Sequence, residues 1–395
     1  MISSRCYLNA LGMLCSAGDS AATVRQTLLS GQTNLSMSDA FSTGHLLPLG
    51  LYQGDLPSVP LPDKKWQSRN NQFALAALNQ ISTDVANSID RYGALRVAVI
   101  IGTSTSGIAE SESAVRRWVR TGVVPSQYDY GLQEMGATAQ FIAGVLGIKG
   151  PVYGISTACS SGAKALAAAR RLIRAGICDA VIAGGVDTLC QLTVSGFSSL
   201  EAVSDSRCNP FSKNRKGINI GEGAALFLVT AESQGVELNG AGEGSDAYHI
   251  SAPEPSGAGA VRCMTRALID SGVLAADVGY VNLHGTATAL NDKMESHAVQ
   301  EVFGLDTLCS STKPFTGHTL GAAGAIEAGI CWLTLSASDS HLLPVHVWDG
   351  EKDPELAPLN LVSPDSRLDM PLRYVLSNTF AFGGNNISLL MGRIQ

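Results

Sequence analysis

Residues Tyr153 to Gly185 read YGISTACSSGAKALAAARRLIRAGICDAVIAGG, and the fold is best approached from this stretch. Val152, Ile155 and Thr157 form a short strand. Ala158-Cys159-Ser160-Ser161-Gly162 then turns sharply into an Ala-rich helix, and a second buried strand, Ala180 to Ala183, closes at Gly184-Gly185. This turn sets the Cys159 thiol on the first turn of a helix, where unpaired N–H groups and the positive end of the dipole favour a thiolate. The small residues let helix and strand approach closely and leave backbone amides free to face whatever bonds to the sulfur. Cysteine is more often a buried structural residue than a nucleophile, so Cys159 needs partners elsewhere in the chain.

The same style recurs on both sides of this stretch. Tyr7 to Ala17 is a strand, Ala21 to Leu29 a helix capped by Asp19 or Ser20, and residues 31–63 read as loops. Ser68 to Asn87 is one long helical pattern, and Arg96 to Ile101 is a buried strand. Past residue 235 come a helix (Ala258 to Ser271), a strand (Val278 to Leu283) ending at His284, a helix (Glu295 to Val302), and a strand (Leu308 to Thr312) ending at Lys313. Gly317-His318-Thr-Leu-Gly321-Ala-Ala-Gly324 opens another small-residue helix. A last strand from Leu372 to Asn378 runs into Thr379-Phe380-Ala381-Phe382-Gly383-Gly384. Alternating strands and helices imply an α/β protein whose central strands are covered on both faces. The expected division is two similar halves, 1–234 carrying Cys159 and 235–395 carrying His284, Lys313 and His318. Ligands collect at the carboxyl ends of strands in such sheets, so four strand ends, at Cys159, at His284, at Lys313 with His318, and at the turn from Phe380 to Asn386, could share one pocket.

Composition narrows the function. The chain has 395 residues, a hydrophobic fraction of 45% and a net charge of −7, which argues against a general nucleic-acid binder. Its nine cysteines are scattered without a C-x-x-C pair, so neither a disulfide framework nor a zinc site is suggested, and a metal set of His284, His318 and Asp292 is opposed by Lys313 beside it. No segment reaches membrane length without charge, and the cytoplasm is the expected location. The Gly-rich stretches Gly221 to Gly223 and Gly240 to Gly244 open no helix after a strand, so no nucleotide cofactor is expected.

The combination of Thr157-Ala-Cys159-Ser-Ser-Gly, His284-Gly-Thr-Ala-Thr, Ser311-Thr-Lys313-Pro-Phe-Thr-Gly-His318-Thr-Leu-Gly-Ala-Ala-Gly324 and Asn378-Thr-Phe-Ala-Phe382-Gly-Gly resembles the β-ketoacyl-acyl carrier protein synthases of the elongating type. The resemblance implies the thiolase fold, a five-layered α-β-α-β-α sandwich of two similar halves, and a dimer paired through the strand before the nucleophile. It implies an acyl chain held as a thioester on Cys159, an oxyanion hole from the N–H groups of Cys159 and Phe382, and two histidines, His284 and His318, serving malonyl decarboxylation. Lys313 would maintain the electrostatics, with Glu295 as its structural partner, and Phe380 and Phe382 would border and gate the acyl pocket. No bound cofactor is implied, because the substrates ride on the phosphopantetheine of an acyl carrier protein.

Some residues depart from the usual fatty-acid pattern. Ile218 stands where the family often has a bulky side chain gating the acyl pocket, Ala381 replaces a glycine, and Asn385-Asn386 replaces Thr-Asn. With Asn291-Asp292 after His284, these resemble synthases of polyketide or aryl polyene pathways, in which the partner subunit would be a chain-length factor rather than a second copy. The acidic carrier would meet a basic rim at Lys64, Lys65 and Arg69, then Arg116 and Arg117, with Lys213, Arg215 and Lys216 a third basic cluster. Competing readings are a chain-length-factor-like subunit, which Cys159 argues against, and a priming synthase or thiolase using coenzyme A, for which Asn378 and Asn386 could complete a Cys-His-Asn set.

Overall fold

One order of strands and helices is used twice along the chain. A computed structural model describes residues 5–42, 44–126, 128–233, 235–337, 341–368 and 370–394. The first half contains β1 (Tyr7–Cys15), α1 (Ala21–Ser30), a ribbon of β2 (Ser36–Ser38) and β3 (Leu47–Leu49), α2 (Arg69–Gln80), α3 (Ser82–Tyr92), β4 (Val97–Gly102), α4 (Ile108–Thr121) and α5 (Ala137–Leu146). It continues with β5 (Val152–Ile155), α6 (Ser161–Arg174), β6 (Ala180–Asp187), α7 (Gln191–Ser199) and β7 (Gly223–Thr230). The second half contains β8 (Val236–Ser245), α8 (Ala258–Ser271), β9 (Val278–Asn282), α9 (Ala289–Phe303), β10 (Leu308–Ser310), the single turn α10 (Lys313–Thr316) and α11 (Ala323–Ser336). It ends with β11 (Asn360–Leu361), β12 (Tyr374–Ala381) and β13 (Asn385–Arg393). Gln234, at the expected boundary, lies outside the described residues.

The strands run in the order β11-β10-β9-β12-β13-β8-β1-β7-β6-β4-β5. Five strands of one half, β5-β4-β6-β7-β1, correspond in order and sense to β10-β9-β12-β13-β8 of the other. In each set the first two pairings are parallel and the last two antiparallel, so only the fourth strand runs against the others. The halves are stitched by a short β1–β8 pairing, Tyr7 opposite Glu237 and Leu8 opposite Val236. Helices α2, α3 and α5 cover the outer face of the first half, and α8 and α9 that of the second, while α6 and α11 lie between the two sheet halves. That is the five-layered α-β-α-β-α arrangement of a thiolase fold.

The central layer explains the small residues. A Cβ on Gly162 would stand 2.8 Å from the Ala325 methyl, and one on Gly324 2.7 Å from the Ala163 methyl. Helices α6 and α11 therefore cross almost backbone to backbone, with the same device in each half. The strands around them, such as Val97–Gly102, are buried at every position, as expected for strands covered on both faces.

Local expectations need adjustment in several places. The pattern from Ser68 to Asn87 is two helices, because Ile81 leaves helical geometry (φ −119°, ψ 15°) to bury its side chain in the core between them. Residues 31–63 are not all loop, since β2 and β3 pair there. Strand β12 runs on to Ala381, holding Phe380 on the sheet, and helix α9 starts at Ala289. The small-residue helix after Gly321 ends at Ser336.

Candidate active site

Cys159 lies at the end of a strained elbow. Ala158 before it has φ +53°, a left-handed value costly for a residue with a Cβ. Ser161 locks the kink: its hydroxyl accepts from the Thr157 N–H (2.8 Å) and donates to the Ala158 carbonyl (2.5 Å). Helix α6 starts only at Ser161, so the sulfur sits ahead of the helix rather than on its first turn. The expectation of a thiolate favoured by the helix end is not met at rest. Burial pushes the thiol up to about 11, outweighing the lowering effect of Lys313 and of the Phe382 and Cys159 backbone N–H groups. Those two N–H groups do face the sulfur, the pair expected to bind an oxyanion.

Both histidines are buried and held neutral, their protonated forms disfavoured by burial and by the nearby Lys313 ammonium. Hydrogen-bond partners then assign the tautomers. The Leu320 N–H donates to His318 Nδ1 (3.3 Å), so His318 carries its proton on Nε2, 3.0 Å from Cys159 Sγ. Lys313 Nζ stands 3.3 Å from His284 Nδ1 and donates to it, which leaves the proton of His284 on Nε2. The rings stand edge to face with centroids 5.4 Å apart. The site therefore presents two neutral N–H donors beside one thiol, suited to oxygen atoms that gain negative charge.

Lys313 is 2% exposed, and its ammonium is shared between the His284 carbonyl, His284 Nδ1 and Glu327 Oε1, the last at 2.5 Å. Glu327, not Glu295, is thus its partner. Glu295 instead accepts the N–H groups of His284 and Gly285, both at 2.7 Å, and so fixes the backbone that carries the histidine. It is a carboxylate too well occupied by backbone donors to turn toward Lys313. Asp292 is likewise spoken for by the Phe211 N–H (2.8 Å) and the Ala287 N–H (3.1 Å), which removes it from the metal set weighed above. Cys159, His284 and His318 do place donor atoms within 4.8 Å of one another. A cation there would meet Lys313 across the His284 ring and would need both Nε2 protons removed.

A cavity of ≈430 Å³ opens above Cys159, lined by His284, His318, Ile218, Phe380, Phe382 and Lys216 among others. Phe380 packs against His284 (centroids 6.2 Å) and Phe382 against Phe197 of α7 (5.5 Å). Ile218 is buried in its wall. Asn378 donates to Met264 Sδ and accepts from Ser388, and Asn386 donates to Asp246, so neither completes a Cys-His-Asn set. None of the five basic residues expected at the rim lines this cavity. Arg69 in particular grips buried Glu222 through two bonds of 2.6 and 3.0 Å. Lys64 and Lys65 lie on a turn beside Trp66, Arg116 bonds Gln191 between α4 and α7, and Arg117 is exposed on α4. The exposed cation in the cavity wall is Lys216.

Sequence reasoning missed Glu327, although a single carboxylate inside an otherwise apolar helix was a usable signal. It also missed His346, buried between the Ser311 N–H (3.1 Å) and the Pro210 carbonyl (3.1 Å), for which the sequence offered no signal.

Comparisons with known proteins agree with this geometry. Residues 64–235 match the family model for the beta-ketoacyl synthase N-terminal domain, and residues 236–341 that for the C-terminal domain. The chain is 31% identical over 99% of both lengths to 3-oxoacyl-[acyl-carrier-protein] synthase 2 of Staphylococcus aureus, and 30% identical, again over 99% of each, to nodulation protein E of Rhizobium meliloti. Among solved structures it superposes with a TM-score of 0.93 and 44% identity on a chain of the ketosynthase–chain length factor complex from Xenorhabdus doucetiae, covering 99% of this chain and 98% of that one. The ishigamide ketosynthase/chain length factor structure gives a TM-score of 0.88 at 26% identity, covering 100% of both chains.

Proposed function

This chain belongs to the β-ketoacyl synthase family, and from that premise we propose that it joins an acyl chain held on Cys159 to a malonyl unit held on an acyl carrier protein. The observation that carries the reading is the single cluster of Cys159 Sγ, two backbone N–H groups and two Nε2–H imidazoles under one cavity. In the first half-reaction the sulfur attacks the carrier thioester. The N–H groups of Cys159 and Phe382 hold the oxyanion, the carrier sulfur leaves with the cysteine proton, and the acyl group stays on Sγ. His318 Nε2–H offsets the cost of the buried thiolate during this step.

Malonyl-carrier then enters. Its carboxylate leaves as carbon dioxide, and the electron pair of the broken C–C bond moves onto the thioester oxygen, between His284 and His318. The enolate carbon attacks the acyl carbon, the C–S bond to Cys159 breaks, and a 3-ketoacyl chain two carbons longer departs on the carrier. Lys313 keeps His284 in the donating tautomer, Glu295 fixes its backbone, and Glu327 balances the lysine. No bound cofactor takes part beyond the phosphopantetheine that each carrier brings.

For the partner, the ketosynthase complex at 44% identity favours a chain-length-factor-like subunit over a second copy of this chain. Strand β5, at one edge of the sheet, is unpaired on its outer side among the described residues and supplies an edge for it, with Tyr153 exposed there. The carrier meets the mouth at Lys216, and Arg69 is withdrawn from the docking surface. No helix among the described residues is long and apolar enough to cross a membrane, and nine free cysteines suit the reducing cytoplasm. An aryl polyene or polyketide pathway is the favoured setting. The test is production of 3-ketoacyl-carrier from acyl-carrier and malonyl-carrier, by the chain alone and co-purified with such a subunit. Product in either case supports the condensation, and absence from both refutes it.

A further inference from the structure

Among the residues other than glycine that hold left-handed backbone near the reactive centre are Ser106 (φ +46°), Ala158 (φ +53°) and Leu320 (φ +50°). Ala158 immediately precedes Cys159, and Leu320 belongs to the loop that carries His318. Such kinks persist only where the surroundings over-determine them. Each is one step from a group held by the fully buried Asp187, which ends the apolar strand β6: the Ser106 N–H donates to Thr103 Oγ1 (2.9 Å), the Ala158 carbonyl accepts from Ser104 Oγ, and Leu320 precedes Gly321.

Asp187 receives a full set of donors from two separate loops. Oδ1 accepts from Thr103 Oγ1 (2.5 Å), Thr105 Oγ1 (2.8 Å) and the N–H groups of Ser104 and Thr105 (both 2.9 Å). Oδ2 accepts from the Gly321 N–H (2.6 Å) and shares that of Ser104 (2.9 Å). Among the described residues none of its hydrogen-bond partners is a cation, which is unusual for a buried carboxylate. The first loop reaches the cysteine elbow, because Ser104 Oγ donates to the Ala158 carbonyl (3.3 Å) and the Thr103 N–H to the Ile155 carbonyl of β5 (3.0 Å). The second reaches the imidazole, because Gly321 is followed by α11 and preceded by Leu320, whose N–H fixes the His318 tautomer. A Cβ on Gly321 would lie 2.7 Å from Asp187 Oδ2, so the approach admits glycine alone.

We infer that Asp187 is a positioning residue for the condensation: it clamps the Cys159 elbow to the His318 loop and so sets the 3.0 Å contact between Sγ and Nε2. The inference rests on the proposed roles of Cys159 and His318 but not on the identity of the substrate. Asn at this position keeps the size of the side chain and one acceptor, but turns an amide toward N–H groups that need an acceptor.

The experiment is the pH dependence of Cys159 alkylation by iodoacetamide, followed by mass spectrometry, in wild type, Asp187→Asn and Thr105→Val. It needs no carrier and so separates this inference from the condensation itself. Two effects act on the thiol with opposite signs. Removing a nearby negative charge alone would favour the thiolate and move the profile to lower pH. Loosening the His318 contact moves it to higher pH and lowers the rate at fixed pH by about tenfold or more. The expected result is the upward move in Asp187→Asn, a smaller one in Thr105→Val, which removes one donor and keeps the carboxylate, and a matching fall in kcat with KM little changed. A lower melting temperature in both variants with alkylation profiles unchanged, or a downward move, would overturn the clamp. Should Asp187→Asn fail to fold, Thr105→Val alone decides by the same readout.

Discussion

Replacing Lys313 by methionine should make stability fall with alkaline pH where the wild type's does not. Lys313 and Glu327 form a buried pair at 2.5 Å. Burial raises the Glu327 carboxyl from its ordinary 4.5 to about 7, even with the lysine ammonium pulling it down. Without the ammonium only the raising influence remains, so the carboxyl climbs further. The folded value exceeds the unfolded one, so the stabilising contribution of the bound proton is fully present below the unfolded value and is lost as pH rises through the folded one. In the wild type that loss is complete slightly above pH 7; in Lys313→Met it continues upward. The stability gap between the two proteins should therefore widen by about 1.4 kcal/mol per pH unit above neutrality, or about 3 kcal/mol between pH 7 and 9. Urea unfolding at one fixed protein concentration across that range measures it. In Lys313→Met/Glu327→Gln there is no carboxyl to ionise, and the gap should stay constant. Parallel pH curves for wild type and Lys313→Met would refute the reasoning, because they would mean that Glu327 does not depend on the lysine.

Three further outcomes are expected. Iodoacetamide alkylation of wild-type Cys159 should keep rising about tenfold per pH unit to near pH 10, following a thiol pushed up to about 11; a plateau near pH 8.5 would show that burial does not dominate. His284→Ala should slow malonyl-carrier decarboxylation by about 10²-fold or more while leaving acylation of Cys159 nearly intact, measured by carbon dioxide release and adduct mass. Equal loss of both steps would remove the division of labour. Arg69→Ala should destabilise the fold by about 2 kcal/mol through the buried Glu222 it leaves unpaired, without changing carrier affinity, whereas Lys216→Glu should weaken carrier binding at low salt and leave stability unchanged.

How far the sequence reaches depends on whether the decisive partner is local. Cys159, His284 and Lys313 each stand just past a strand end, as period and punctuation indicate, whereas His318 follows the single turn α10. The doubled order of elements was legible for the same reason. Pairings across the fold were not. Glu327 is in fact closer to Lys313 in sequence than Glu295 is, but only the packed molecule shows that backbone N–H groups claim Glu295 and leave Glu327 to the lysine. Arg69 looked like surface charge because nothing local betrays Glu222, 153 positions away. The chemistry of Cys159 was misjudged in degree: a helix end is visible in a sequence, whereas the burial that outweighs it is a property of the packed molecule. Asp187 was readable in principle, as an acid closing a strand that is otherwise wholly apolar.

The most direct test of the central claim is the intact-protein mass of wild type and Cys159→Ala after exposure to a panel of acyl-carrier donors and then to malonyl-carrier, with the chain-length-factor-like subunit present. The predicted result is an acyl adduct on wild type alone that disappears as the elongated 3-ketoacyl-carrier forms. An adduct that persists on Cys159→Ala, or one on wild type that malonyl-carrier never discharges, would contradict the assignment of Cys159 as the group that holds and surrenders the chain.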